Sequence, residues 1–422
     1  MLQLNYIREN KQATIDGLKK KYVQNAEQAV ENVLSIDQKR RETQQELDAT
    51  LAKANVLAKQ IGGLMQTGKK EEAEAAKAET ATLKVRSKAL EEDLKTLESE
   101  LHEAVVVLPN LPHATVPVGR TPEENEVVLE NGTIPNLPET ALPHWDLIKQ
   151  YDIIDFELGN KIAGAGFPVY KGKGARIQRA LINFFLDEAI AAGYMEIQPP
   201  ILINRESGFG TGQLPDKDGQ MYHATEDDLF LIPTAEVPIT NIYRDVIVNE
   251  QDLPIKNAGY TPCFRREAGS WGAHVRGLNR LHQFDKVEIV QIRKPEESYQ
   301  ALEGMSLHVQ SLLQKLELPY RVLRLCGGDM SFTSALTYDM EVYSAAQKRW
   351  LEVSSVSNFE TYQANRLKLR YKVEGKMQLL HTLNGSALAL PRILAAILEN
   401  NQTPEGINIP KVLVPYCGFD RI

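Results

Sequence analysis

The sequence predicts an α+β protein with an N-terminal antiparallel helical hairpin (coiled coil) and a C-terminal domain built on a mainly antiparallel sheet flanked by helices. The segment from Glu27 to Ala104 contains no proline and is rich in Ala, Glu, Lys, Leu and Gln, which is typical of long helices. Beyond His144, apolar runs such as 229–232 and 287–292 alternate with a helical pattern such as 174–192. That alternation indicates a mixed sheet-and-helix domain.

Small and apolar residues of the first segment recur at alternating spacings of four and three, which predicts two coiled-coil seams. The downstream seam comprises Leu83, Ser87, Leu90, Leu94, Leu97, Leu101 and Ala104, and the upstream one Leu47, Leu51, Ala54, Ala58, Ile61 and Met65. Between them, Gly62, Gly63 and the run Gln66-Thr67-Gly68 can reverse the chain. Two limbs of roughly 40 residues, each about 60 Å long, would form an arm that projects outward.

The domain boundaries follow from these patterns. Residues 1–105 form the helical domain, and the stretch from Leu108 to Pro143, dotted with prolines, predicts an extended linker over 106–143. Residues 144–422 then form the second domain.

Composition limits the classes of function. The chain has 422 residues and three scattered cysteines without metal-ligand spacing, so we expect no zinc site and a reducing compartment. No signal-like or membrane-spanning apolar run occurs, which predicts a cytoplasmic protein with no membrane partner. The net charge of −8 gives no global attraction to nucleic acid, so RNA binding would need a local basic patch.

The tip half of the arm carries the candidate basic residues, although glutamates are interleaved with them, as on any solvated helix face. Coiled coils also serve as spacers or oligomerisation elements, and periodicity alone favours that interpretation. The candidate RNA-contacting side chains are Lys53, Lys59, Lys69, Lys70, Lys77, Lys84, Arg86 and Lys88.

Three segments of the second domain carry residue types suited to binding a nucleotide. In Phe264-Arg265-Arg266-Glu267, a strand would place Arg265 and Glu267 on one face, where an arginine can clamp an anion beside a hydrogen-bond acceptor. A polar loop with Ser270, Trp271, His274 and Arg276 joins it to the strand-like run from His282 to Glu288.

The second segment, Glu352-Val353-Ser354-Ser355, offers the hard oxygen ligands that magnesium prefers, at the end of a strand-like run. The third places Arg392 in the first turn of an apolar helix that ends near Asn400, where an anion can meet both the guanidinium and the helix dipole. Each signal alone also fits a surface ion pair, a solvated turn or a helix cap, and their order along the chain is what carries information.

In that order the segments resemble the motifs of the class II aminoacyl-tRNA synthetases. The stretch Gly193 to Pro200 resembles the first motif, which forms the dimer interface in that family. The strand pair containing Arg265 and Glu288 resembles the second motif, and Gly385 to Glu399 resembles the third. The run Thr234-Ala235-Glu236, together with the helical hairpin, is similar to the seryl enzymes of the bacterial type.

The resemblance implies a class II catalytic domain, a homodimer, and ATP-dependent activation of L-serine to seryl-adenylate followed by transfer to the 3′ end of tRNA(Ser). It leaves open whether tRNA(Sec) is also charged. Two other functions remain possible interpretations: a related enzyme that loads a carrier other than tRNA, and a non-catalytic RNA-binding or scaffolding protein that keeps only the fold.

The resemblance also assigns site residues. Arg265 and Arg392 are the expected catalytic residues, with Mg²⁺ held by Glu352 and Ser355. The expected serine-binding residues are Thr234, Ala235, Glu236, Arg265, Glu288 and Ser386, with Asn384 a weaker candidate. The expected ATP-binding residues are Arg265, Arg266, Glu267, Phe284, Glu352, Val353, Ser354, Ser355 and Arg392.

Overall fold

The structure, a computed structural model, describes residues 1–216, 219–267 and 276–422. The chain divides into two compact units: residues 1–19 with 23–109, and residues 20–22 with 110–422. No helix within the described ranges combines the length and the apolar character needed to cross a bilayer.

Four helices form the first unit, and two of them make the hairpin. Helix α3 has 41 residues and helix α4 has 37, which confirms the two long limbs. The chain reverses at Thr67 to Lys69, where Gly68 has a φ of +75° that favours glycine. Gly62 and Gly63, expected to break the helix, lie inside α3. The helices are α1 (Leu4–Glu9), α2 (Lys11–Lys20), α3 (Ala26–Gln66) and α4 (Lys70–Val106).

The hairpin seam differs from the predicted one on α3. Leu90 and Leu101 of α4 are buried as expected, but Leu51 and Met65 of α3 are 40% and 49% exposed. The seam instead passes through Leu47, Thr50, Ala54, Leu57, Ile61 and Leu64. The prediction of Leu51, Ala58 and Met65 was wrong because at each of these positions the preceding residue, Thr50, Leu57 or Leu64, faces the partner helix instead.

An eight-stranded sheet organises the second unit, in the order β1-β11-β12-β13-β16-β10-β9-β4. All pairs in it are antiparallel except the short edge pair β4–β9, which confirms the mainly antiparallel prediction. The strands of this sheet are β1 (Glu126–Asn131), β4 (Met195–Glu196), β9 (Ile255–Phe264), β10 (Gln283–Arg293), β11 (Tyr320–Arg324), β12 (Leu336–Ser344), β13 (Arg349–Asn358) and β16 (His381–Ala389).

Short strands form the remaining small sheets of this unit. They are β2 (Ile154–Asp155), β3 (Val169–Tyr170), β5 (Leu202–Ile203), β6 (His223–Ala224), β7 (Leu229–Leu231), β8 (Ile247–Val248), β14 (Arg370–Val373), β15 (Lys376–Leu379), β17 (Gln402–Thr403) and β18 (Gly406–Ile407).

Helices cover the large sheet and bury its core. Leu181 and Phe185 of one helix, Leu312 of a second and Ile393 of a third are fully buried against sheet residues such as Ile289. The helices are α5 (His144–Gln150), α6 (Phe156–Ala163), α7 (Gly172–Ala191), α8 (Arg205–Thr211), α9 (Glu236–Asn241), α10 (Ser298–Lys315), α11 (Thr361–Leu367), α12 (Leu390–Asn400) and α13 (Val414–Cys417).

Two local predictions need correction. Strand β9 ends at Phe264, so Arg265 and Glu267 follow the strand instead of sharing one of its faces, and Glu267 has a φ of +50°. The run from Glu352 to Ser355 lies in the middle of β13 and not at its end.

Candidate active site

A buried acidic pocket forms where β10, β16 and the start of α9 meet. Thr234 Oγ1 donates to Glu288 Oε2 at 3.1 Å, and Asn384 Nδ2 donates to Glu288 Oε1 at 2.7 Å. Ser386 is the cross-strand partner of Glu288, and because Asn384 lies two residues before it, both face the same side. The structure therefore brings together the predicted residues Thr234, Glu288 and Ser386.

A lysine that the sequence reasoning missed lies in this pocket. Lys286 Nζ is 2.6 Å from Glu288 Oε2 and 3.0 Å from Thr234 Oγ1, and the side chain is only 7% exposed. Lys286 lies two residues before Glu288 on β10, so the strand period could have placed it on the same face.

The second carboxylate of the pocket belongs to Glu236, the first residue of α9, beside the fully buried Ala235. Gln363 Nε2 donates to Glu236 Oε1 at 2.7 Å, and Thr382 Oγ1 orients that amide at 2.7 Å. Burial and the nearby charge of Glu288 raise the pKa of Glu236 to about 7, while Gln363, Lys286 and Arg265 oppose the shift. The pocket thus holds two buried carboxylates near one ammonium.

Arg265 lies between this pocket and an aromatic surface. Its Cζ is 5.3 Å from the centroid of the Phe284 ring, and its Nε donates to the Pro233 carbonyl oxygen at 3.4 Å. Because its charge also acts on Glu236, Arg265 faces both the acidic pocket and the ring. Glu267 is paired with Arg280 at 2.9 Å.

Arg266 lies beside them with its side chain exposed. The loop residues Ser270, Trp271 and His274 are outside the described residues.

A β-bulge in β13 builds the third part of the site. The cross-strand partners are Met340 with Ser354 but Glu341 with Glu352, so Val353 is an extra residue on β13. The bulge shifts the side-chain alternation, and Glu352 and Ser355, three residues apart, face the same side. Val353 and Ser354 are 1% and 2% exposed.

The side chain of Ser354 is occupied within the protein. Its Oγ donates to the Ser386 carbonyl oxygen at 2.6 Å. The Ser354 hydroxyl therefore has no second hydrogen to donate to a nucleotide, and Val353 could make a polar contact only through its backbone.

The face bearing Glu352 and Ser355 also carries Asp339, which the sequence reasoning missed. Asp339 is the cross-strand partner of Ser355, and its Oδ1 atom is buried with no hydrogen-bond partner among the described residues. Burial and the charge of Glu352 raise the pKa of Asp339 well above its usual value, and a hydrogen bond with Ser355 opposes this. A buried carboxylate oxygen without a donor is suited to a cation or to a protein or water donor.

Arg392 is the third residue of α12 and borders this face. Its Nε donates to the Asn279 carbonyl oxygen at 3.0 Å, and its Nη1 donates to the Glu352 carbonyl oxygen at 2.7 Å. Burial and the positive charge of Arg392 lower the pKa of Arg349, whereas Glu399 raises it. Two guanidinium groups held near each other favour an anion beside them.

On the hairpin, all eight predicted RNA-contacting side chains are exposed. Lys53, Lys69, Lys77 and Arg86 each pair with a glutamate at 2.6–3.0 Å. Within the described part of the chain, Lys59, Lys70, Lys84 and Lys88 make no ion pair.

Comparison with known proteins gives consistent results over the whole chain. Residues 1–112 match the family described as the seryl-tRNA synthetase N-terminal domain, and residues 220–401 match the tRNA synthetase class II core domain (G, H, P, S and T). The serine–tRNA ligase of Salinibacter ruber is 51% identical over 425 residues, covering 100% of this chain and 99% of the relative. That of Chlorobium luteolum is 47% identical with the same coverage.

Among solved structures, the seryl-tRNA synthetase from Pyrococcus horikoshii complexed with ATP superposes with a TM-score of 0.95 at 32% identity, covering 100% of this chain and 99% of that chain. The cytoplasmic serine–tRNA ligase from Naegleria fowleri, in complex with AMP, gives a TM-score of 0.90 at 27% identity and covers 100% of this chain and 98% of that chain.

Proposed function

The chain belongs to the seryl-tRNA synthetase family, and from that premise we propose which residues bind serine, ATP and Mg²⁺ and which surfaces meet tRNA and a second subunit. The enzyme is a serine–tRNA ligase: it activates serine with ATP and transfers it to tRNA. The expected tRNA partner is tRNA(Ser), and tRNA(Sec) is an additional expectation that a charging assay with each tRNA would decide.

The acidic pocket is the serine site, and the charge balance of the pocket carries this assignment. Glu236 and Glu288 are both buried, and Lys286 supplies one positive charge between them. The pKa of Glu236, raised to about 7, indicates a carboxylate that is short of a cation. The ammonium group of serine supplies the second positive charge.

The same groups select serine over its neighbours in size. Glu288 accepts a hydrogen bond from the substrate hydroxyl, and Thr234, which donates to Glu288, orients that carboxylate. Ser386 lies beside them, and Ala235 forms part of the pocket wall. Alanine, which lacks the hydroxyl, would leave the buried Glu288 carboxylate with one hydrogen bond fewer than serine does, and this costs free energy. Threonine would place an extra methyl group against a well-packed wall.

ATP binds along the surface from Phe284 to Arg392. The Phe284 ring stacks on adenine, with Glu267 and Arg266 at the base side, and Arg265 reaches the α-phosphate and the serine carboxylate. Arg265 is suited to this because it already borders both the acidic pocket and the ring. Arg392 meets the terminal phosphates, supported by the second cation, Arg349, near it.

The residues present fit magnesium. Glu352 and Ser355 face the same side because of the bulge at Val353, and Asp339 adds a buried oxygen without a partner beside them. The described residues contain no cluster of three His, Cys, Asp or Glu side chains that would cage a metal alone. Mg²⁺ takes one or two protein oxygens together with substrate phosphates and water, and at this site it would partly neutralise the charge of the phosphates.

The residues promote adenylation by placing charge in advance. A serine carboxylate oxygen forms a bond to the α-phosphorus, the bond from that phosphorus to the bridging oxygen breaks, and diphosphate leaves. Negative charge grows on the α-phosphate oxygens, where Arg265 stabilises it, while Arg392 stabilises the departing diphosphate. The attacking carboxylate is already ionised at neutral pH, so this step needs no general base.

The hairpin is the proposed tRNA-binding surface. Lys70, Lys77, Lys84 and Lys88 fall on one stripe of α4, because at 100° per residue they lie within about 40° of one another. The stripe is about 27 Å long at the helical rise of 1.5 Å per residue. A row of exposed ammonium groups of this length is suited to the phosphates of a tRNA arm.

The proposed homodimer uses the sheet edge formed by β4. Met195 on this edge strand is 57% exposed, and the adjacent Ile190, Ile201 and Leu202 are 38–46% exposed. Apolar side chains beside an unpaired strand edge are suited to a second subunit. We place the enzyme in the cytoplasm, which is supported by its tRNA partner and by three cysteines that form no disulfide.

Exchange of radiolabelled diphosphate into ATP, measured with each amino acid in turn, tests the proposal. We expect exchange to depend on serine, and a faster rate with another amino acid would overturn the serine assignment. The variant Arg265→Ala should lose exchange by at least about a hundredfold, the effect of removing one preorganised donor to transition-state charge. Parental exchange by that variant would remove Arg265 from the catalytic assignment.

A further inference from the structure

A buried histidine–glutamate pair lies behind Arg392. His144 is the first residue of α5, Glu399 is close to the end of α12, and both side chains are fully buried. Glu399 lies seven residues after Arg392, so two helical turns place both side chains on the same face of α12.

Four donors hold the Glu399 carboxylate. His144 donates to Oε1 from its backbone nitrogen at 2.8 Å and from its ring Nδ1 at 2.7 Å. Gln347 Nε2 donates to the same oxygen at 2.9 Å, and the Ser344 hydroxyl donates to Oε2. Burial raises the pKa of Glu399, but the hydrogen bonds from His144 and Ser344 lower it below its usual value.

The other ring nitrogen of His144 holds a different segment. The backbone N–H of Leu278 donates to His144 Nε2 at 2.8 Å, so Nε2 is unprotonated and Nδ1 carries the hydrogen donated to Glu399. Glycine is required before Leu278, because a Cβ at Gly277 would lie 2.4 Å from His144 Nε2. Arg276 adds a contact, with its Cζ 5.0 Å from the centroid of the Trp145 ring.

The backbone segment that His144 holds at Leu278 contacts Arg392 through the following residue, Asn279. Asn279 Nδ2 donates to Gln347 Oε1 at 3.1 Å, so Gln347 ties Asn279 to Glu399. The Asn279 carbonyl oxygen then accepts Arg392 Nε at 3.0 Å. Together with the Glu352 carbonyl oxygen, which accepts from Nη1, this carbonyl fixes the guanidinium, and among the described residues Arg392 Nη2 has no hydrogen bond.

We propose that His144 and Glu399 are positioning residues for Arg392: through Leu278, Asn279 and Gln347 they fix the guanidinium that meets the terminal phosphates of ATP. This inference rests on the proposed role of Arg392. Neither residue touches a substrate, and their effect is on the affinity and alignment of ATP. Serine, bound by residues of a different part of β10 and β16, does not depend on them.

Two substitutions of His144 separate its two hydrogen bonds. In His144→Asn the shorter amide can reach Glu399, but no atom reaches the N–H of Leu278. In His144→Gln the longer side chain places an oxygen near the former Nε2, where it can accept from Leu278. We expect His144→Asn to raise the KM for ATP in the exchange reaction by about tenfold, and His144→Gln to recover most of that loss, while the KM for serine changes in neither.

Gln347→Ala provides a milder second variant, since it removes a half-buried amide and one of the four donors to Glu399 but keeps the hydrogen bonds between His144 and Glu399. It should raise the KM for ATP by about threefold, the effect of losing a neutral hydrogen bond. His381→Asn is the matched control, because His381 is also a buried histidine with one short hydrogen bond, 2.7 Å to Ser298 Oγ. It should lower the melting temperature without a selective change in KM for ATP.

Arg392→Ala distinguishes this inference from the proposed function. If Arg392→Ala leaves ATP affinity unchanged in calorimetric titration, the role of Arg392 is wrong. If Arg392→Ala weakens ATP binding but His144→Asn and Gln347→Ala do not, only the positioning inference is wrong. Equal changes in KM for ATP and serine in the His144 variants would also overturn it. The double variant His144→Asn with Arg392→Ala should bind ATP no more weakly than Arg392→Ala alone.

Discussion

At the residue scale, Glu236 gives the proposed serine site a pH dependence with a definite sign. Burial and Glu288 raise its pKa to about 7, so below that pH the carboxyl carries a proton. In the proposed site the ammonium of serine interacts with the ionised form, so we expect serine binding to release that proton. We predict that the KM for serine rises as the pH falls below about 7, by up to about tenfold per unit, in exchange assays from pH 8 to pH 5.5.

Glu236→Gln is the control for this prediction. The amide keeps an oxygen for the hydrogen bond from Gln363 but cannot ionise. The variant should have a high KM for serine that no longer depends on pH in this range. A variant that keeps the parental pH profile would assign the titration to another group.

Asp339 gives a second prediction, based on its charge. It is the cross-strand partner of the proposed metal ligand Ser355 and its buried Oδ1 has no donor among the described residues. A bound cation would favour the ionised form of Asp339, which Asp339→Asn cannot adopt although it keeps the shape, so the Mg²⁺ concentration for half-maximal exchange should rise by about tenfold. Calorimetric titration of Mg²⁺ into the enzyme with an ATP analogue that cannot be cleaved gives a readout independent of turnover.

Glu341→Gln is the matched variant for Asp339→Asn. Glu341 lies on the same face of β12, but its carboxylate is already paired with Arg321 at 2.5 Å. The Glu341→Gln variant should need the same Mg²⁺ concentration for half-maximal exchange as the parent enzyme. The assignment of Asp339 fails if both variants shift the requirement equally or if neither does.

Single residues differ in how far the sequence predicts them. Lys286 lies two residues before Glu288 and could be found from strand periodicity alone. Gln363, which holds Glu236, lies 127 residues further along the chain, and no local pattern joins them. Such a contact depends on how α11 packs near α9, which tertiary structure alone decides.

At the element scale, the bulge in β13 is a feature that strand alternation does not predict. Strict alternation would put Glu352 and Ser355 on opposite faces, because they are three residues apart. Only the extra residue, Val353, brings them together, and nothing in the run Glu352-Val353-Ser354-Ser355 signals a bulge. The resemblance to a known family supplied the pairing that the local pattern could not.

The hairpin was predictable in length and not in the detail of its seam. The composition and spacing of residues 27–104 are sufficient for two long limbs, but Thr50 and Leu51 compete for the same seam position of α3. Hydrophobicity favours Leu51, whereas the register with α4 places Thr50 inside. Register is a property of two helices together, so a single-helix pattern cannot decide it.

The lysine stripe of α4 carries the prediction for this element. The triple variant Lys70→Gln, Lys84→Gln, Lys88→Gln removes from one face three exposed charges that make no ion pair with any described residue. We predict weaker tRNA binding by this variant. We also predict that the slope of the logarithm of the binding constant against the logarithm of the salt concentration decreases by about one for each phosphate that the variant no longer neutralises. Filter binding at several salt concentrations measures the slope, and serine-dependent exchange without tRNA should be unchanged.

The control for the stripe is a second triple variant, Lys53→Gln, Lys69→Gln, Arg86→Gln, which changes the net charge by the same amount as the first. These side chains pair with Glu79, Glu72 and Glu46, so they have less charge to offer to a phosphate. We expect a smaller loss of tRNA affinity. An equal loss in both triples would mean that overall charge, and not the stripe, controls binding.

At the scale of the whole molecule, the sequence predicts the α+β class and the hairpin, because periodicity and composition act over tens of residues. The net charge of −8 gave no sign of an RNA partner, since the exposed lysines of the arm are a local feature that a sum conceals. The strand order of the large sheet pairs β10 with β16, about 95 residues apart in the chain, and that pairing creates the proposed serine pocket. Long-range pairing of this kind is not encoded in any local pattern.

The oligomeric state is the last prediction, and it distinguishes two apolar surfaces. Met195 on the edge strand β4 is 57% exposed, and Val85 on the hairpin is 74% exposed. Burying a charge at the centre of an interface costs free energy, so Met195→Glu should convert the dimer to a monomer in sedimentation velocity. The Val85→Glu variant should remain a dimer. Dissociation by Val85→Glu alone would put the interface on the coiled coil, where such helices commonly associate. A monomeric parent enzyme would exclude both interfaces.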